Sequence, residues 1–356
     1  MNKKVIKGLK ILGIIILVPV LAFGLLLVWL TIREYRPSPI EEMSIQNNQV
    51  AILKSGTPYS VTTWNIGYAG LGKNEDFFLD GGKKGRPDNE KVVKENLEAI
   101  ENELKKAASD LIMVQEVDRD STRTYHKDEK ELLDTALSEY GNTFALNYDV
   151  DFVPVPIPPI GQVTAGQEIF SKFKIDESKR MVLPGDFAWP KKQVELDRCM
   201  LVTKMPVEGT DKDFVFINAH FSAYDDGSIR QQQLDFAKEY ILSEYEKGNY
   251  VIIGGDWNQT FDIVDTTRFP MYMNGDFYNP IKIPSTWLEA GWAWGIDDKT
   301  PTYRLLNGPY VEGVTQTGVI DGFAVSPNIK VIETKVIDLG FSNSDHNPVK
   351  MTFELK

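Results

Sequence analysis

The run Val251-Ile-Ile-Gly-Gly-Asp-Trp-Asn258 is apolar until two glycines interrupt it, after which a carboxylate and an amide follow two residues apart. A short Val/Ile run suits a buried strand, and Gly254 and Gly255 mark a turn or a close backbone approach. Asp256 and Asn258 would then stand at the strand's end, where hard oxygen ligands and phosphate partners are useful. Four further segments share this design, Trp64-Asn65-Ile66-Gly67, Leu111-Ile-Met-Val-Gln-Glu116, Phe214-Val-Phe-Ile-Asn-Ala-His220 and Ser344-Asp345-His346-Asn-Pro348, and Val319-Ile-Asp321-Gly-Phe323 places a carboxylate inside an otherwise apolar run. Taken singly, most have a structural reading: Asn65 can cap a turn, Glu116 can form a surface ion pair and His220 can be a hydrogen-bonded core histidine. Asp321 is harder to dismiss, because a carboxylate inside an apolar strand is costly to desolvate unless a histidine or a metal pairs with it. Two of the chain's three histidines fall in these segments. Polar groups spread over several strand ends are a common way to assemble a hard-metal hydrolytic site on a rigid scaffold.

These side chains need strands to carry them and helices to cover the strands. Strands are predicted at Tyr59–Thr63, Leu111–Gln115, Gln167–Ser171, Met200–Lys204, Phe214–Ala219, Val251–Gly254, Val319–Val325 and Val349–Leu355. Val93, Leu97, Ile100, Leu104 and Ala107 recur on one helical face, so a helix should follow Asp88. Two more are expected over Glu129–Tyr140 and Ser228–Lys247. Elements alternate without a break in composition, which implies one domain, residues 57–356. The proline-rich stretch Phe152–Gly161 should stay extended and outside the sheets; its apolar residues could touch lipid or substrate, but a stiff surface spacer is the simpler reading. Asp80–Arg86 is a basic, glycine-rich loop that could meet a phosphate but reads more simply as a solvated loop. Trp287, Trp292 and Trp294 default to core packing. Cys199 reads as a buried strand residue and His126 as a surface one.

From Ile11 to Ile32 there are 22 residues without a charge, about 33 Å as a helix and enough to cross a bilayer. A cleaved signal peptide is the rival reading, but Leu25–Leu30 extends the apolar run past a normal signal core. Lys3, Lys4, Lys7 and Lys10 precede it, which places residues 1–10 in the cytoplasm by the positive-inside rule. Residues 33–56 would be a stalk, with the domain outside the cytoplasm and anchored to the cell membrane by a single pass. The chain has 39 Lys and Arg against 51 Asp and Glu, and six of the basic but only one of the acidic residues precede position 37. The remainder is therefore strongly acidic, a poor surface for nonspecific nucleic-acid binding, although metal ions could neutralise a nuclease site. One cysteine excludes an intramolecular disulfide.

The order Trp-Asn, Gln-Glu, Asn-Ala-His, Gly-Asp-Trp-Asn, Ile-Asp-Gly, Ser-Asp-His-Asn-Pro resembles the endonuclease/exonuclease/phosphatase superfamily, which includes deoxyribonuclease I, abasic-site endonucleases, inositol-polyphosphate 5-phosphatases and neutral sphingomyelinases. The resemblance covers about residues 59 to 356. It implies an α/β fold, a four-layer sandwich of two mixed sheets packed face to face with helices outside. It also implies Asn65, Glu116 and Asp345 at or beside a divalent metal, normally Mg²⁺ with Mn²⁺ or Ca²⁺ as alternatives. Asp256 would position or deprotonate water, Asn258 would hold the phosphate and that water, His346 would be the catalytic histidine and Asp321 its orienting carboxylate. His220 resembles the second histidine of the deoxyribonuclease and sphingomyelinase branches and separates this chain from the abasic endonucleases. The expected partners are a phosphoester, favoured as a phospholipid or small phosphorylated headgroup with extracellular DNA or RNA second, and the membrane through the amino-terminal helix. No protein partner is expected. A catalytically silent binding adaptor is the alternative of a different class, disfavoured because a binding module needs no such full set of residues.

Overall fold

Runs of β-branched and aromatic residues, buried on both faces, build two large sheets. In the computed structural model, which describes residues 3–271, 278 and 280–356, the order is α1 (Lys3–Arg33), β1 (Ile40–Glu42), β2 (Ile45–Gln46), β3 (Pro58–Asn65), α2 (Glu90–Ala107), β4 (Leu111–Asp118), α3 (Glu129–Ala136), β5 (Gly141–Val153), β6 (Gly161–Ser171) and β7 (Glu177–Val182). There follow β8 (Cys199–Pro206), β9 (Asp213–His220), α4 (Ser228–Glu246), β10 (Tyr250–Asp256), β11 (Ala293–Gly295), β12 (Tyr303–Arg304), β13 (Thr317–Gly318), β14 (Asp321–Val325), β15 (Ile329–Val336) and β16 (Val349–Leu355). One sheet runs β1-β7-β8-β9-β10-β14-β11 and the other β15-β16-β3-β4-β6-β5-β2, with β12 and β13 as a separate pair. Both are mixed: β9–β10 and β3–β4 are parallel, while the other neighbours are antiparallel.

The sheets bury a common core in which Val61, Met113 and Phe353 of one meet Leu201, Phe216 and Ile252 of the other. On β10, Val251 and Ile253 point the opposite way and pack with Leu234, Ala237 and Ile241 of α4. Two buried faces are why this strand reads as continuously apolar rather than alternating. Across the other sheet, Val93, Leu97, Ile100 and Leu104 of α2 and Leu133 of α3 cover Ile112 and Val114. The layers are therefore helix, sheet, sheet, helix, the expected four-layer sandwich. Asn89 begins α2 by accepting the Val92 N–H, as a capping side chain should.

All eight expected strands are present, and β5, β7 and β15 join them. β15 escaped because it is a charged edge strand, half of it exposed, including Lys330, Glu333 and Lys335. The third expected helix appears as α4, whereas α3 ends at Ala136 because the chain turns there to bury Leu137 and Tyr140.

Residues 33–56 do not form a free stalk. β1 pairs with β7 and β2 with β5, extending both sheets, and Leu53 is fully buried beside Val207. Short strands with one apolar residue each carry no periodicity, so only their partners reveal them. The proline-rich stretch also departs from expectation: Phe152 and Val153 belong to β5, and the remainder is a compact turn closing the β5–β6 hairpin. Its flanking strands pair register by register, which pulls the prolines into a tip instead of a spacer.

Candidate active site

β9, β10 and β14 are neighbours, and their register puts His220, Asp256 and Asp321 in one row: Asp256 is paired with His220 on one side and with Asp321 on the other. From the facing sheet, Asn65 ends β3, and Glu116 lies in a bulge of β4 where the pairing with β6 slips between Val114 and Val117. The bulge gives Glu116 a φ of 56°, an uncommon conformation for a non-glycine residue that re-aims its side chain. Asp345 and His346 come from the loop before β16, held by Trp64 Nε1 donating to the His346 carbonyl at 2.9 Å. Six motifs scattered over 282 residues thus converge at one end of both sheets.

Gly255 permits this convergence. It has a φ of 133°, and a Cβ there would lie 1.9 Å from the Ala219 carbonyl oxygen. Gly255→Ala is expected to cost about 3 kcal/mol through backbone displacement between β9 and β10. Urea denaturation in detergent checks this, and an unchanged midpoint would mean that the two strands do not approach so closely.

The polar groups form one connected network. His346 Nδ1 lies 2.8 Å from Asp321 Oδ2, and its Nε2 is 3.7 Å from Asp256 Oδ2 and 3.9 Å from Asp345 Oδ2. His220 Nε2 is 3.3 Å from Asp256 Oδ2 and 3.9 Å from Glu116 Oε1. The Asn65 amide nitrogen donates to both Glu116 Oε1 and Asp256 Oδ2 at 3.0 Å, while its oxygen accepts the Gly67 N–H. Asn65, expected at or beside the metal, thus spaces two carboxylates with its NH₂ group while its oxygen closes a local turn. Asn258 gives one amide hydrogen to the Phe221 carbonyl and accepts from the Tyr278 hydroxyl, leaving a second hydrogen for a ligand.

Burial works against the charged form of His346, but Asp321, Asp256 and Asp345 together outweigh it and hold its pKa well above the ordinary histidine range. His220 goes the other way: burial first, then Arg198 and His346, keep it neutral. Burial pushes Asp256 up to about 6 against the pull of His346, and Asp345 up to about 7 with Glu116 repulsion added. Two histidines in one site are thus set to opposite charge states, one a cationic donor and the other neutral.

A cavity of about 300 Å³ opens on this network, and Glu116, His220, Asp256, Asn258, Asp345 and His346 line it. Asp321 stands behind His346, and Asn65 behind the carboxylates. Glu116 and Asp345 offer hard oxygens that repel one another, which is the donor chemistry a divalent cation satisfies. Asp256, Asp321 and His346 also bring ligand atoms within 4.8 Å of one another, but the His346–Asp321 hydrogen bond already occupies that set.

Several wall residues carry weak signals in sequence. Tyr224 and Tyr278 reach the cavity from loops, and Arg198 does so from just before an apolar strand, where a charge entering the sheet is the single hint. Asp80 is buried, accepting from the Tyr224 hydroxyl and the Leu306 N–H, so the basic loop is anchored rather than wholly solvated. Asp118 receives a bidentate Arg123, whose guanidinium lies 3.8 Å over the Tyr68 ring. Trp287 and Trp294 stack on each other against Trp257 in the core. His126 is exposed beside Asp120.

The profile of the Endonuclease/Exonuclease/phosphatase family matches residues 62–346. Among solved structures, the chain is similar to an endonuclease/exonuclease/phosphatase from Beutenbergia cavernae, with 19% identity over 84% of this chain and 72% of that one and a TM-score of 0.56. It is similar to D. rerio TDP2 complexed with a single-strand DNA product, at 14% identity over 84% and 99% of the two chains and a TM-score of 0.53. A third is an endonuclease/exonuclease/phosphatase family protein from Bacteroides thetaiotaomicron, at 16% identity over 84% and 98% with a TM-score of 0.52. At such identities the likeness is one of fold. No curated protein matches the sequence.

Proposed function

Because the chain belongs to the endonuclease/exonuclease/phosphatase family, whose members hydrolyse phosphoesters, we propose that it is a membrane-anchored, divalent-metal-dependent phosphoester hydrolase acting on a phospholipid or a small phosphorylated headgroup. The observation that carries this reading is the meeting of His220, Asp256 and Asp321, adjacent in register on three strands, with Glu116, Asp345 and His346 from the facing sheet.

Glu116 and Asp345 would hold the cation, expected as Mg²⁺, which when bound supplies positive charge to the phosphoryl oxygens. Asp256 sits between both histidines with a pKa of about 6, so near neutral pH it is ionised enough to orient and accept a proton from an attacking water. His346, held cationic, donates from Nε2 to a phosphoryl or leaving-group oxygen. Asp321 is the positioning residue that fixes its ring through Nδ1. The remaining amide hydrogen of Asn258 supports the phosphate. Displacement is single: water attacks phosphorus, the P–O bond to the leaving group breaks, and that oxygen leaves with a proton.

Lipid is favoured over nucleic acid because α1 is long and apolar enough to cross a membrane and the domain beyond it is acidic. The single-strand DNA product in D. rerio TDP2 makes nucleic acid the second reading. Headgroup release from phospholipid vesicles, run beside plasmid DNA cleavage with Mg²⁺ in both, is expected to show turnover of lipid alone. Cleavage of plasmid without headgroup release would transfer the assignment to a nuclease. Turnover in neither would favour an adaptor.

A further inference from the structure

We infer that the rim of the cavity is a membrane-contact surface, in which the β5–β6 hairpin tip, Leu79 and Trp189 enter the interface of the phospholipid bilayer that α1 crosses. The inference rests on anchoring by α1, but not on the hydrolytic chemistry.

No linker separates α1 from the domain. Leu26 and Leu30, inside the charge-free span, pack in an apolar cluster with Val150, Val153 and Ile160 of the hairpin. Arg33 closes the helix by pairing with Asp151 of β5 at 2.8 Å, and Trp189 Nε1 donates to Thr31 Oγ1 at 3.2 Å. With a rise of about 1.5 Å per residue, Leu26 lies within about 8 Å of Thr31 along the helix axis. The apolar span therefore leaves the domain beside the hairpin, and the bilayer surface must lie close to the same place.

Beside the charged groups at that exit, among them Glu34, Asp149, Asp151 and Lys192, several apolar side chains are exposed. Ile157 at the tip is 93% exposed, Trp189 60%, Val155 48% and Leu79 46%. Val153, Val155, Ile160 and Leu79 also line the cavity, so the patch continues into the candidate active site. Exposed apolar groups gathered around an opening mark an interaction site, and their burial is favourable in proportion to area. A bilayer is the occupant these neighbours specify. Tryptophan at the end of a spanning helix is the residue type that settles at headgroup level. Gly85 packs directly on Pro156 and Ile160, so Lys83 and Arg86 flank the hairpin tip as cations at headgroup depth in an otherwise acidic domain. A surface built for a second protein would need no membrane helix docked at its edge.

The test uses the full chain reconstituted in vesicles of phosphatidylcholine and phosphatidylglycerol with brominated acyl chains. Ile157→Cys is labelled with an environment-sensitive fluorophore and compared with Ile332→Cys on β15, at the opposite side of that sheet. Cys199 is buried, with its thiol pushed up to about 11 by burial, so the introduced cysteine reacts selectively. A blue shift and lipid quenching at 157 but not at 332 are expected. Equal, unquenched emission at both positions, or a shift at 157 that depends on protein concentration without lipid quenching, would overturn the proposal. Ile157→Asp is further expected to slow turnover of vesicle lipid by about tenfold or more while leaving bis(p-nitrophenyl) phosphate hydrolysis unchanged. Unchanged turnover on vesicles would also overturn it. If the wild-type chain hydrolyses no phosphoester, the hydrolase reading fails, and quenching still decides the rim.

Discussion

Alanine at His346 is expected to lower kcat for Mg²⁺-dependent phosphoester hydrolysis by about 10³-fold, combining loss of a positioned proton donor with loss of a fixed charge beside the phosphoryl group. KM should change little, because the interaction strengthens as charge develops on phosphorus. Asp321→Asn separates positioning from structural support. Asp321 is the nearest of three carboxylates that hold His346 charged, so its loss lowers the histidine pKa. A required imidazolium makes activity fall as pH rises through that pKa, and the variant's alkaline limb should therefore move to lower pH. Full activity in His346→Ala would remove the histidine from the mechanism, and an unmoved limb in Asp321→Asn would reduce Asp321 to packing.

The second large effect concerns the metal. Glu116→Gln is expected to weaken Mg²⁺ or Mn²⁺ binding by about 100-fold or more, since even groups that only orient metal ligands contribute 10–100-fold. Calorimetry measures this without recourse to turnover. Asp345 in the metal-free protein is raised to about 7, by burial and by Glu116 repulsion against the pull of His346. Because a cation binds the ionised carboxylate, protons compete below that pH and affinity should fall about fivefold between about pH 7 and about pH 6, with at most about a twofold change above it. Removing the Glu116 charge lowers the Asp345 pKa, so in Glu116→Gln this dependence should shift to lower pH. Wild-type affinity in the variant would place the cation elsewhere, and affinity flat with pH would exclude Asp345.

Much of the scaffold was legible in advance because central strands are buried on both faces. Val251–Ile253 or Phe214–Ile217 cannot alternate polar and apolar residues when a helix covers one side and a second sheet the other. Edges were hidden for the opposite reason. β1 and β2 have three and two residues and no period of their own, and β15 sets the few apolar residues that touch the core, Ile329, Val331 and Val336, among exposed charged ones. The proline-rich segment misled because proline disfavours strand interiors, yet a tight hairpin tip tolerates it.

The side-chain types at strand ends were readable for a similar reason. A carboxylate inside Val-Ile-Asp-Gly-Phe must have a partner, and that cost is visible before any fold is known. Which partner it takes is not local information. The Asp321–His346 pair depends on β14 lying next to β10 while the loop before β16 crosses from the other sheet. The partners of Asn65 are likewise not local information, since its NH₂ group reaches Glu116 and Asp256 on other strands while its oxygen closes a turn with Gly67. So residue types and local burial patterns established the strands, the apolar amino-terminal helix and an acidic, histidine-bearing site. The tertiary structure alone decided the opposed charge states of His220 and His346 and the docking of α1 beside the cavity mouth. Desolvation and Coulomb interactions act through space, between groups that the sequence keeps far apart.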